Sequence, residues 1–419
     1  MRIIRVKNAR AFAKPADQKH DKKLVGSIIA QVARDGDSAL RRFEKKFSKV
    51  ELRTLQVSKK EIADAYKSIT KEQLAAVVLA KKRLAKTEQA IKGQLKKIAV
   101  ASDGTKITKS FIPIDSVGCY VPGGLARYPS SAVMSIVPAK IAGVKKIVVA
   151  TPPNKQGKVD PLVLVSADVC GADAIYKVGG AHAIAALALG TRSIPQVDKI
   201  VGPGGSFVTT AKYLVSDTTS IDMLAGPTEL GIIADDSSDP RLVALDLASQ
   251  AEHSSDTRCC LITTSKALAT KVTGQLDKML PSMQRKQIIK SSLEKNGFVA
   301  LCSKMSDAIL VANKLAPEHL QIMTKNPNSI SNRITSAGLV LLGKNTPSAA
   351  SDYLLGTNHI LPTNRFGRAR GSLSVLDFLK IQTTVESSKQ GLSKIKKPLK
   401  TITDSESLPN HYNAVRGRL

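Results

Sequence analysis

The segments SVGCYV (116–121), PSSAVMSIVPAKIAG (129–143), KKIVVATPP (145–153), PLVLVSADVCG (161–171), DAIYKV (173–178), GGAHAIAALALG (179–190) and DKIVGPG (198–204) follow one another along the chain. Short runs rich in Val and Ile alternate with longer runs of helical composition. Such alternation predicts crossover units and a parallel sheet covered on both faces. A second series follows the loop around LAGPTEL (224–230): GIIADD (231–236), DPRLVALDLASQAEH (239–253), TRCCLITT (257–264), KALATKVTGQL (266–276), FVALCS (298–303), MSDAILVANKLAP (305–317) and AGLVLLG (337–343). The fold class is therefore α/β, with two tandem Rossmann-like, incompletely doubly wound parallel-sheet domains.

Outward from this centre the texture changes. The first hundred residues read as helices, with a break at ARDGD (33–37) and with Ser58 and Thr70 as caps. The last sixty run through a polar, basic loop (GTNHILPTNRFGRARGS, 356–372), a helix over LSVLDFLKIQTTVESSKQGLSKI (373–395) and a small helical tail.

Composition narrows the function classes. A chain of 419 residues that is 42% hydrophobic folds as a globular protein without covalent staples. No apolar run matches a membrane span or a signal peptide, so the chain reads as soluble and cytoplasmic. The five cysteines lack C-x-x-C spacing and read as buried thiols. A net charge of +29 raises nucleic acid as a partner. The basic residues are spread end to end, however, and aromatics are only 4%, which leaves no stacking platform for single strands.

Three glycine turns, YVPGG (120–124), KVGGAH (177–182) and VGPGG (201–205), each follow a strand and precede a helix, where backbone amides favour an anion. None is a full G-x-G-x-x-G fingerprint. Gln250 and His253 lie three apart at a helix end, so both side chains leave from one face and could hold one metal ion. Glu318 and His319 follow Pro317 and offer two proton acceptors with separable basicities. Spacing alone fits a surface Glu–His pair equally well. Asp352 and His411 could complete a four-ligand site of mixed oxygen and nitrogen donors.

Taken together, SVGCYVPGG, KVGGAHAIAALALGT, VDKIVGPGG, IDMLAGPTEL, SQAEH, APEHL, SDYLLGTNHILPT and SLPNHYNAV resemble the histidinol dehydrogenase family. The resemblance implies two successive NAD-dependent oxidations, alcohol to aldehyde and aldehyde to acid, ending histidine biosynthesis. It implies one zinc ion per subunit held by Gln250, His253, Asp352 and His411, the last reaching the site of the other subunit in a homodimer. His319 matches the base for the hydroxyl proton and Glu318 the base for water. Thr228, Gln250, His253, His319, Asp352, His359, Glu406 and His411 match positions that touch substrate or metal, with Thr228 where Ser is common. On the cofactor side Tyr120 matches, whereas His182 replaces a Gln and Gly205 an Asn.

The domains expected are an N-terminal segment (1–24), a first α/β domain (25–119 with 230–373), a second (120–229) and a helical tail (374–419). His359 and Glu406 favour L-histidinol over a polyol or sulfonated diol. A zinc hydrolase would leave the glycine turns without purpose, and a nucleic-acid-binding scaffold would leave the motif histidines so.

Overall fold

The computed structural model describes residues 1–9, 12, 21–123 and 127–419; Gly124 of the first glycine turn and His20 lie outside the described residues. After β1 (Arg2–Arg5) come four helices: α1 (Lys22–Asp35), α2 (Asp37–Phe47), α3 (Lys59–Ser68) and α4 (Lys71–Gly93). Gly36 separates α1 from α2, within the expected break. Ser58 and Thr70 cap α3 and α4 reciprocally: Glu61 N–H donates to Ser58 Oγ (3.2 Å) and Gln73 N–H to Thr70 Oγ1 (3.1 Å), while each N3 side chain accepts from its cap backbone.

Next, β2 (Ile98–Ser102) and β3 (Thr105–Pro113) form a hairpin. The first alternating series becomes β4 (Ser116–Tyr120), α5 (Pro129–Ala142), β5 (Lys146–Thr151), α6 (Pro161–Cys170), β6 (Ala174–Lys177), α7 (Gly180–Leu189), β7 (Lys199–Val201), α8 (Ser206–Val215) and β8 (Ser220–Ile221). These strands make a five-stranded parallel sheet in the order β6-β5-β4-β7-β8, which reverses direction between β4 and β7.

The second series becomes β9 (Glu229–Ala234), α9 (Pro240–Ala251), β10 (Arg258–Thr263), α10 (Lys266–Met279), α11 (Lys286–Lys295), β11 (Phe298–Leu301), α12 (Met305–Leu315), β12 (His319–Met323), α13 (Pro327–Ser331), β13 (Leu339–Leu342) and the single turn α14 (Ser348–Ser351). Its six-stranded parallel sheet has the order β1-β11-β10-β9-β12-β13 and reverses between β9 and β12. The fold is thus α/β with two parallel sheets, each buried on both faces.

The packing groups the N-terminal helices differently from the sequence reading, which joined residues 25–119 to 230–373. Val25, Ile28 and Leu40 of α1 and α2 share a core with Ile184 and Leu187 of α7, and Val77 and Leu84 of α4 share one with α5. The apolar stripes of α1–α4 are therefore spent on the five-stranded sheet, which begins at Ser116, while β1 from the 1–24 segment joins the six-stranded one.

The C-terminal tail also departs from expectation. Residues 379–387, read as helix, form β14 (Leu379–Ser387), which pairs antiparallel with β3 along its whole length. The β-branched run Ile381, Thr383, Thr384, Val385 suits a strand, and β3 supplies the edge that completes it. Two helices follow, α15 (Lys389–Ser405) and α16 (Pro409–Arg416). Among the described residues no helix is long and apolar enough to cross a membrane, and the five cysteines are free and buried.

Candidate active site

The chain passes from β8 to β9 through residues 222–228, so the carboxyl end of the five-stranded sheet adjoins the amino end of the six-stranded one. Ligand sites in open α/β sheets usually lie at carboxyl ends of strands. Here the predicted catalytic pair sits at the amino end, beside the strand reversal between β9 and β12.

Ala316 takes a left-handed conformation (φ 45°) that stops α12, and Pro317 prevents its resumption. Glu318 then precedes β12 and His319 is its first residue, so the pair stands at a strand entrance just past the break after α12. Gly338 lies so close that a Cβ there would stand 2.5 Å from Glu318 O, which reserves the position for glycine. Leu339 N–H donates to that same carbonyl at 2.9 Å.

Both side chains are buried. His319 Nε2 lies 2.9 Å from Asp352 Oδ1, while His319 Nδ1 is buried without a hydrogen-bond partner and stands 3.8 Å from Glu318 Oε2. An ionised Asp352 can only accept, so the ring proton belongs on Nε2 and the lone pair on Nδ1. Burial alone would lower the pKa of His319, but the Asp352 hydrogen bond and the charges of Glu318 and Asp352 outweigh it and raise it. Glu318 is pushed up by burial against the opposing pull of His319, the Thr228 hydroxyl and the Glu229 N–H.

Thr228 links this pair to Gln250. Its hydroxyl donates to Glu318 Oε2 and accepts from Gln250 Nε2 at 2.7 Å. That bond turns the amide so that Gln250 Oε1 faces away from Thr228, where it accepts from Ser348 Oγ at 3.4 Å. Asp352 closes α14, and among the described residues its second carboxylate oxygen takes no hydrogen bond. Burial pushes Asp352 up, yet His319 and the nearby imidazoles of His359 and His253 hold its pKa down. His359 donates from Nδ1 to Asp352 O at 2.6 Å. His253, just past α9, is exposed.

The structure therefore brings Thr228, Gln250, His253, Glu318, His319, Asp352 and His359 to one corner. It does not bring Glu406 or His411 there: both are exposed, on a tail whose α16 packs on α15. Among the described residues no group of three or more His, Cys, Asp or Glu side chains is gathered to hold a metal ion. Gln250 Oε1, the free Asp352 oxygen and the His253 imidazole are a donor set that suits zinc, one ligand short of its usual four.

On the other sheet, Tyr120 ends β4, and its hydroxyl accepts from Gly180 N–H at 3.0 Å. Gly202, after β7, has φ 118°, and a Cβ there would stand 2.1 Å from Tyr120 O, so only glycine fits between the two strand ends. Gly205 caps α8, and a Cβ there would meet nothing within 4 Å. His182 differs from a ligand-facing residue. It is buried, its Nε2 lies 2.8 Å from Glu44 Oε1, and its ring lies beside Phe43 and Phe47, with centroids 5.4 and 6.0 Å away.

Several buried carboxylates escaped the sequence reading, Glu44 and Glu229 among them. Glu44 holds His182 and accepts from Gly179 N–H at 2.8 Å; its signal was its place on the buried stripe of α2, with Ala39, Leu40 and Phe43. Glu229, next to Thr228, accepts from Arg258 Nη1 (3.2 Å) and Asn364 N–H (3.3 Å). No spacing pattern marked it.

The sequence matches the family model for histidinol dehydrogenase over residues 13–419. It is 42% identical over 396 residues to histidinol dehydrogenase of Clostridium acetobutylicum, covering 94% of this chain and 92% of that protein. Against histidinol dehydrogenase of Methanocaldococcus jannaschii it is 42% identical over 395 residues, with the same coverages of 94% and 92%. The crystal structure of histidinol dehydrogenase from Elizabethkingia anophelis superposes with a TM-score of 0.94 at 33% identity, covering 100% of this chain and 98% of that one. With the buried Glu318–His319 corner in place at the entrance to β12, the chain belongs to the histidinol dehydrogenase family.

Proposed function

We propose that the chain oxidises L-histidinol to L-histidine in two NAD-dependent steps, as a zinc-dependent homodimer that holds the intermediate aldehyde. The observation that carries this reading is the unspent Nδ1 of His319, buried beside Glu318 while Asp352 fixes the opposite nitrogen.

In the first oxidation His319 Nδ1 takes the hydroxyl proton of histidinol as a hydride leaves the carbinol carbon, giving histidinal. Glu318 then takes a proton from a water that adds to the aldehyde carbon while His319 returns its proton to the carbonyl oxygen, giving the gem-diol and freeing His319 Nδ1 to act again. Thr228 O–H and Glu229 N–H occupy Glu318 Oε2, which leaves Oε1 for that water. In the second oxidation a hydride leaves the gem-diol carbon and His319 takes the second hydroxyl proton, giving the acid. NAD, when bound, accepts two electrons as hydride in each oxidation. Zinc, when held by Gln250, His253, Asp352 and the partner subunit's His411, supplies a Lewis-acidic anchor for substrate nitrogens.

The dimer reading draws on the tail. Glu406 and His411 are exposed far along it, and the β14–β3–β2 sheet that carries it exposes Ile98, Val100, Ile381 and Val385. The test is the number of NADH formed per L-histidinol consumed, before and after chelation. Two, lost with the metal and restored by zinc, supports the coupled reaction. One means that the aldehyde escapes, and none overturns the substrate assignment.

A further inference from the structure

The reaction scheme gives no role to the glycine turn after β7 or to the strap of residues 222–228 that leads into the catalytic corner. In an open α/β sheet a ligand lies at the carboxyl ends of the strands, in the crevice where the strand order reverses. In the five-stranded sheet that crevice lies between Tyr120, which ends β4, and Gly202, just past β7. Both backbone polar groups of Gly202 are held by side chains. Its N–H donates to Asp222 Oδ2 at 2.8 Å, and its carbonyl accepts from Lys212 Nζ at 3.0 Å. Lys212 of α8 also donates to Asp222 Oδ1, which accepts from Met223 N–H at 2.6 Å as well. Lysine and aspartate are both buried.

The strap is tied along its length. Arg370 Nη1 donates to Asp222 O, Thr209 Oγ1 of α8 donates to Ala225 O at 2.8 Å, and Gly226 N–H donates to Thr363 Oγ1. It ends at Thr228, whose hydroxyl donates to Glu318. One short run of chain therefore joins the turn at the crevice to the base for water. A buried ion pair is often no more stabilising than apolar side chains of the same volume, because desolvating both charges offsets their attraction. We propose that Lys212 and Asp222 are positioning residues for hydride transfer: they fix the glycine turn that seats the nicotinamide cofactor at a set distance from the corner that holds the substrate. Gly202 packs against Tyr120 O, so a turn that shifts takes the mouth of the crevice with it.

This inference rests on the NAD-dependent reading above, and the experiment separates the two. Lys212→Met keeps the length of the side chain without its charge, and Asp222→Asn keeps the shape of the carboxylate. A misplacement of about 1 Å can cost roughly 10²-fold in rate. In both variants the KM for NAD, and the dissociation constant of NADH read from its own fluorescence, should rise about tenfold, with kcat falling by about as much. The primary deuterium effect on kcat, with L-histidinol deuterated at the carbinol carbon, should rise as hydride transfer becomes the slower step. The KM for L-histidinol and the zinc content should hold, because Thr228 is anchored separately by Glu318 and Gln250. NADH affinity and isotope effect that stay at wild-type values, whatever the drop in melting temperature, overturn the proposal and leave the pair a structural one. So does a parallel loss of zinc and of L-histidinol affinity, which marks a general collapse of the site. Should Lys212→Met fail to fold, Asp222→Asn decides on the same readouts. Should both fail, Arg370→Gln decides, since it releases Asp222 O from outside the buried pair: unaltered NADH affinity there overturns the proposal. A wild type that forms no NADH from L-histidinol fails the reading of function instead, and NADH binding by the variants still tests the turn.

Discussion

His319 and His182 are chemically similar at first sight. Each is buried, and each has Nε2 within hydrogen-bond distance of a buried carboxylate, Asp352 at 2.9 Å and Glu44 at 2.8 Å. What surrounds them differs. His182 lies beside Phe43 and Phe47, and its carboxylate also accepts from Gly179 N–H, so the pair closes the end of α2 onto the start of α7. His319 keeps a buried nitrogen with no partner, beside a second carboxylate that is itself tied to Thr228. A histidine–carboxylate contact does not by itself mark chemistry; an unspent polar atom facing other titratable groups does.

The largest expected effect breaks or upholds this distinction directly. His319→Asn should lower turnover by roughly 10²–10⁴-fold, the usual share of a general base, with zinc content unchanged. His182→Gln should keep turnover at saturating NAD within about threefold and cost about 1–3 kcal/mol of stability, the penalty for disturbing a buried hydrogen-bonded pair. Equal rate losses in the two variants would erase the contrast.

A second test uses the carboxylates. Burial pushes Glu44 up, but His182, Ser48 and Gly179 N–H hold its pKa below the ordinary 4.5. A depressed folded pKa gives stability that is present above the unfolded value and lost as pH falls through the folded one, so Glu44→Gln should flatten the acid side of the stability profile. Glu229 has the opposite sign. Its pKa rises from 4.5 to about 7, so the unfolded chain ionises first and stability falls as pH climbs between those values. The loss is on the order of 3 kcal/mol, complete above pH 7 and absent in Glu229→Gln. Urea unfolding at pH 8, pH 5 and about pH 3 reads both slopes, the first interval for Glu229 and the second for Glu44.

The smallest effect concerns the glycines on the His182 side. Gly205→Ala adds a Cβ into open space at φ −68° and should move stability by less than about 0.5 kcal/mol in thermal unfolding. A larger loss would mean that the turn before α8 is tighter than its neighbours indicate.

Much of this was legible in the residues. The strand–helix alternation from Ser116 to Val201 is local, and each run folded as its composition reads. Gln250, Glu318, His319 and Asp352 stood out by type and setting. The misreadings share a cause: the deciding partner is distant in sequence. Residues 379–387 carry apolar side chains that fit a helix, and only the edge of β3, more than two hundred residues earlier, makes them a strand. Likewise β1 is four residues long and exists because β11 offers it an edge. Glu44 resembles any surface acid of an amphipathic helix until α7 packs over it.

The pairing of Leu379 with Pro113 also sets an order of events during synthesis. Domains fold as the chain emerges, and a contact that closes so long a loop comes late. Both parallel sheets and the Glu318–His319 corner are complete in sequence before residue 379 leaves the ribosome. The arm bearing Glu406 and His411 is therefore the last part to dock. A message cut short upstream of Leu379 would release a protein with its two sheets formed and β3 left as an open edge, a template for strand addition that β14 otherwise covers.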